Sequence, residues 1–323
     1  MVTSWPPNFP GLGTGAQALA RLITKASGGR LSVRVYAAGE LVPAFEVFDA
    51  VARGTAEMGH SAAYYWKGKA EAAPYFCTVP FGFDAEAMNA WLHHGGGLEL
   101  WRELYAPFNL VPFPAGNTGM QMAGWFRREI RGLGDLKGLR MRIPGLGGEV
   151  MARLGAVPVN LPGGEIFTAL QTGAIDACEW VGPYNDLAFG FHRVTRLYYA
   201  PGWQEPGPTL ECVVHRPAYE RLPEELRELI AACCAAVNEA MRIEYAAQNG
   251  RALHALIEEH GVEVRELPGE VLEALREQTE QLLAEGARRD PMSARIRESM
   301  MAFRAQSEPW RRIEEGASRL LAP

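Results

Sequence analysis

Lysine is nearly missing from this chain: only Lys25, Lys67, Lys69 and Lys137 stand among 32 basic residues in a length of 323. With 38 acidic residues and a formal net charge of −6, the chain lacks the basic surface that holds nucleic acid, which excludes such a partner. No apolar run approaches the roughly 18–20 residues needed to cross a bilayer. The longest candidate, around 229–237, reads as a buried helix face. Five cysteines form no Cys-x-x-Cys pair and no zinc spacing with the seven histidines, and their odd number favours reduced thiols. Cys233 and Cys234 would point about 100° apart on a helix and read as packing residues. There is no Walker lysine, no Gly-x-Ser-x-Gly elbow, no His-Glu-x-x-His and no EF-hand loop. Pro10-Gly-Leu-Gly-Thr-Gly15 has no strand before it, and Gly145-Leu-Gly-Gly148 lacks the third glycine's spacing, so neither reads as a dinucleotide loop. The first residues, Met1 to Pro7, have neither the basic nor the apolar region of a signal peptide. A cytosolic protein and one whose signal has been removed are the two readings.

What is present begins with a repeat. Glu46-Val-Phe-Asp-Ala-Val-Ala-Arg-Gly-Thr-Ala-Glu-Met58 and Glu165-Ile-Phe-Thr-Ala-Leu-Gln-Thr-Gly-Ala-Ile-Asp-Ala177 match Glu, Phe, Ala and Gly at a constant offset. Each reads as a short amphipathic helix closed by glycine and followed by a strand. Used twice, the unit predicts two similar α/β lobes with a cleft where the strands end. The first copy continues into Tyr64-Tyr65-Trp66 and the second into Glu179-Trp180, so these segments should face each other. Periodicity predicts helices at 14–27, 85–106 (broken at 93–97), 147–154, 223–259, 268–288 and 291–321, the last kinked by Pro309. Strands are expected at 31–36, 109–114, 120–126, 139–143, 157–160, 195–200, 208–215 and 262–266. No low-complexity linker divides the chain, so it should pass between lobes through ordered strands, as in a hinge clamp. The expected division is 1–116 plus about 209–250, 117–208 plus about 251–288, and a long terminal helix over 289–323.

Chemistry gathers at strand ends. Arg142 precedes a Pro-Gly stop, where a guanidinium is placed to fork onto a carboxylate; Arg140, two residues earlier, is an equal candidate by strand period. Glu179, Glu205 in Gly202-Trp-Gln-Glu-Pro-Gly207, and Gln121 supply oxygens that suit a hard cation. Of Tyr64-Tyr65-Trp66, at most one or two side chains face a ligand.

These motifs, from Ser4-Trp-Pro6 through Ala38-Gly-Glu-Leu-Val-Pro43 and Leu136-Lys-Gly-Leu-Arg-Met-Arg-Ile-Pro144 to Glu179-Trp-Val-Gly-Pro-Tyr-Asn-Asp186, resemble the extracytoplasmic solute-binding proteins of TRAP transporters. The likeness is greatest to the branch that binds 2-oxo or 2-hydroxy monocarboxylates with a metal ion. It implies a two-lobed, Venus-flytrap-like α/β fold of the periplasmic-binding-protein type with long C-terminal helices, and no catalysis. It assigns the ligand carboxylate to Arg142, further ligand contacts to Asn117, Tyr64 and Trp180, and the cation to Gln121, Glu179, the Trp180 carbonyl and Glu205. It also implies a periplasmic location with the signal removed, TRAP membrane permease subunits as partners, and a homodimer through the C-terminal helix. Charge counting then favours calcium over sodium. Two glutamates and a lactate- or pyruvate-type anion against one arginine are balanced by a divalent ion. A metal-dependent enzyme acting on 2-hydroxy acids is the alternative, weakened by the lack of a general base beside these carboxylates. A sensory ligand-binding domain would share the fold and differ in partner.

Overall fold

The structure, a computed structural model, describes residues 1–321. Its strands are β1 (Val2–Thr3), β2 (Met58–Ser61), β3 (Leu110–Asn117), β4 (Gly124–Phe126), β5 (Arg140–Arg142), β6 (Val157–Val159), β7 (Ala177–Cys178), β8 (Leu197–Ala200), β9 (Thr209–His215) and β10 (Glu263–Glu266). They form two sheets, ordered β1-β2-β9-β3 and β10-β8-β4-β7-β5-β6. In the first, β9 runs antiparallel to both β2 and β3. In the second, β4 is antiparallel to β7 and β8, whereas β7, β5 and β6 are parallel.

The helices are α1 (Leu12–Ala26), α2 (Val47–Ala52), α3 (Ala85–His94), α4 (Gly97–Tyr105), α5 (Gly145–Arg153), α6 (Gly163–Thr172), α7 (Pro183–Phe189), α8 (Arg216–Glu220), α9 (Glu224–Glu258), α10 (Gly269–Arg289) and α11 (Pro291–Leu321). The two copies of the repeat become α2-Gly54-β2 in the first sheet and α6-Gly173-β7 in the second. Both glycines adopt the left-handed conformation, with φ of 73° and 76°. Helix α9, about 50 Å long at 1.5 Å per residue, packs on β3 and on α7 and so joins both lobes. Helix α10 packs on α5, and α11 on α10 and α4. Pro309 lies within α11 without interrupting it.

The chain passes from the first sheet to the second between β3 and β4, returns between β8 and β9, and crosses again through α9. The first two crossings, 118–123 and 201–208, carry Gln121 and Glu205.

One expected strand is absent. Residues 31–36 alternate in exposure, yet only Tyr36 forms a bridge, to Val2. The strand they would pair with, β1, is two residues long. The segment is fastened instead by the terminal amine donating to the Arg34 carbonyl (2.8 Å) and by the Tyr36 amide donating to the Met1 carbonyl (2.9 Å).

Candidate functional site

Strand β5 delivers Arg142 to the interior, with the side chain wholly buried. Arg140, at the other end of the same strand, is exposed and closed in a two-pronged ion pair with Asp176 at 2.7 and 2.9 Å. The ambiguity of the sequence pattern thus resolves by depth: the strand enters from solvent at one arginine and ends inside at the other.

Four of the five Arg142 N–H groups are engaged. Its Nε donates to the Leu161 carbonyl (3.2 Å), Nη1 to both the Glu179 carbonyl (3.0 Å) and Glu179 Oε1, and Nη2 to the Tyr65 hydroxyl (3.3 Å). The fork expected to face a ligand is therefore already turned inward, leaving one Nη2 N–H. The guanidinium also lies 5.0 Å from the centre of the Trp180 ring. Burial opposes the charge, but Glu179 and then the tyrosines hold the arginine more firmly protonated than usual.

Glu179 follows β7, and its amide donates to the Arg142 carbonyl at 3.1 Å. Glu205 comes from the 201–208 crossing, and its carbonyl accepts from the Gln121 amide at 3.2 Å. Glycine at 202 is required here, because a Cβ would stand 2.1 Å from the Gln121 carbonyl oxygen. Glu179, Glu205, Gln121 and Gln204 are all buried, and each keeps one side-chain oxygen without a hydrogen-bond partner: Oε2 in the glutamates and Oε1 in the glutamines. Burial, and then the charge of Glu179, raises the Glu205 carboxyl far above its ordinary range; burial likewise raises Glu179, against the pull of Arg142. Buried carboxyl and amide oxygens without donors fit an oxygen-seeking cation. Gln121, Glu179 and Glu205 are the residues that would hold it, with the Trp180 carbonyl next in the chain. When bound, such an ion supplies positive charge between the carboxylates and a Lewis-acidic contact for a ligand oxygen.

Other expected positions behave differently. Asn117 is buried at the end of β3, but its Nδ2 donates to the Gly207 carbonyl and Thr209, and its Oδ1 accepts from the Gly119 amide. Its amide thus ties the two crossing segments together. Tyr64 is buried and feels the charges of Glu205 and Glu179, yet its neighbour Tyr65 is the one bonded to Arg142. The preference for Tyr64 follows from resemblance alone. A short turn, Ala63–Trp66, puts the two rings edge to face at 4.6 Å. Trp180 buries its ring against Phe9 and Phe189.

Three residues escaped the sequence reading. Gln204 lies beside Glu205 and donates to the Met122 carbonyl at 2.8 Å; its place in the same loop was the available signal. Asp186 is buried behind Glu179 and accepts from Trp125 (2.9 Å) and Tyr198 (2.7 Å), with burial raising its carboxyl to about 6. Glu211, in β9, is buried in the first lobe and accepts from Trp66 and Tyr105.

The chain is similar to known proteins along almost its whole length. The model of the DctP family, described as bacterial extracellular solute-binding protein, family 7, matches residues 1–290. A monocarboxylate 2-oxoacid-binding periplasmic protein of Nostoc sp. is 45% identical over 315 residues, covering 98% of this chain and 86% of that protein. A TRAP periplasmic solute-binding protein of Colwellia psychrerythraea, solved with calcium and pyruvate, is 42% identical with a TM-score of 0.95, covering 98% of this chain and 96% of that one. One from Pseudoalteromonas atlantica, solved with sodium and pyruvate, is 41% identical with a TM-score of 0.96, covering 100% and 98%. Sequence, fold and the buried, oxygen-rich cleft agree, and the chain belongs to the DctP family of bacterial extracellular solute-binding proteins.

Proposed function

We propose that this protein receives a small 2-oxo monocarboxylate of the pyruvate type, together with a metal ion, and presents it to the membrane permease of a TRAP transporter. Lactate, the 2-hydroxy counterpart, is within the same proposal. As a DctP-family receptor the protein binds its solute without transforming it, and the enzyme alternative has no support among its relatives. The observation that carries the reading is the set of buried, unpartnered oxygens on Glu179, Glu205 and Gln121 beside the buried guanidinium of Arg142. Arg142 would meet the ligand carboxylate through its remaining Nη2 N–H, with the tyrosine turn beside it, and the cation would take the 2-oxygen.

Relatives are known with either calcium or sodium. Calcium is proposed here because two glutamates and a monoanion against one arginine reach neutrality only with a divalent ion, and buried net charge is costly. Isothermal titration of chelated protein tests this directly. Pyruvate should bind at least ~100-fold more weakly without metal, the scale of losing ~3 kcal/mol. Undiminished binding in chelator would overturn the reading, and recovery by sodium alone would overturn the choice of calcium.

A homodimer through α11 is part of the proposal. Trp310 and Ile313 are each 61% exposed on that helix, an unusual position for large apolar side chains. Light scattering should give twice the 35.5 kDa chain mass, and a shift to the monomer on Trp310→Glu; a monomeric wild type would refute it.

A further inference from the structure

Glu211 is a charged residue in an expensive place. Its backbone pairs with Ser61 of β2 on one side and Pro114 of β3 on the other, and its side chain is wholly buried. Both of its oxygens are engaged by neutral donors, the Trp66 indole N–H and the Tyr105 hydroxyl (2.9 Å). A glutamine would be far easier to bury. What a carboxylate adds is an acceptor at each oxygen and stronger, charge-assisted bonds to both rings.

The indole it holds belongs to the turn that carries Tyr64 and Tyr65. Trp66 closes the turn Ala63–Trp66, whose Tyr65 hydroxyl accepts from Arg142 Nη2 at 3.3 Å. Phe48 packs on both Trp66 and Tyr105, with ring centres 5.5 and 5.4 Å away, and fills the space between the two donors. The turn is thus anchored at one end on Glu211 and rests on the guanidinium at the other.

We propose that Glu211 is a positioning residue for ligand binding: by gripping Trp66 and Tyr105 its carboxylate fixes the tyrosine turn against Arg142 and sets the geometry in which an anionic ligand is received. This rests on the ligand reading above. The consequence is thermodynamic coupling between Glu211 and Tyr65, which never touch the same atom.

Pyruvate with calcium is the probe, titrated calorimetrically into the full chain, with thermal melting to establish that each variant is folded. Glu211→Leu should weaken pyruvate binding by about tenfold in the presence of Tyr65 and by less than about twofold in a Tyr65→Phe background, tenfold corresponding to one displaced charge-assisted bond. Glu211→Gln, which keeps an acceptor for the indole, should recover most of the loss. Should the leucine variant fail to fold, Trp66→Phe replaces it with the same expected non-additivity. Equal losses in both backgrounds, or none in either, overturn the positioning role while leaving the ligand reading intact. A wild type that binds no pyruvate overturns both.

Discussion

Glu179 and Glu205 share a water-poor space with one guanidinium, and burial raises both carboxyl groups above their ordinary range. A cation needs both as anions, so its binding must expel protons. Calcium affinity should therefore rise as the pH climbs through about 7, where Glu179 gives up its proton, with proton release that titrations in buffers of different ionisation enthalpy would reveal; a flat profile would count against these ligands. Stability of the metal-free protein runs the other way at Glu211. Burial raises this group from 4.5 to about 7, so its contribution is fully present below 4.5 and lost as the pH climbs through about 7. Glu211→Gln should flatten that part of the melting-temperature profile. Glu179 and Glu205 were legible in the sequence because each sits at a strand end or in a glycine-bounded loop, and Arg142 was legible only as one of a pair with Arg140. Glu211 and Asp186 were not legible, because their meaning lies in partners such as Trp66 and Trp125, distant in the chain, and the choice of Tyr65 over Tyr64 needed the same kind of contact, with Arg142.

Local pattern and element agree closely where the chain supplies both a period and a stop. The two helix-glycine-strand units were readable because a left-handed residue closes each helix and a strand follows within a few residues. Segment 31–36 has the alternation but not the partner, and strand formation depends on the partner. Glycine matters most where two elements nearly touch. Gly202 lets the 201–208 crossing lie on the backbone of Gln121, and neither side can yield to an added methyl. Gly202→Ala should lower calcium affinity by about tenfold or more, because it separates Gln121 from Glu205, with a fall in melting temperature of several degrees. Calcium titration and a thermal scan check both parts, and unchanged calcium affinity would show that the two crossings are not held in register by this contact.

Across the whole molecule, the candidate cation ligands Gln121 and Glu205 sit on the irregular segments that pass between lobes, while Arg142 in β5 and Glu179 just after β7 come from the second sheet. Ion pairs span the outer edge: Lys67 with Glu149 of α5, and Glu71 with Arg289 at the end of α10. They are partly exposed, so each adds little alone and is sensitive to salt. Glu149→Gln should weaken ligand binding by about two- to fivefold at low ionic strength and by less at high, read by titration at two salt concentrations; equal effects at both would exclude an electrostatic latch. The two-lobed plan was visible in the repeat, whereas these latches depend on how the lobes meet, which no local pattern encodes.

The five thiols, Cys77, Cys178, Cys212, Cys233 and Cys234, are all buried and none is bridged. Among the described residues the fold is thus held by packing, hydrogen bonds and ion pairs, with no covalent cross-link between distant parts of the chain.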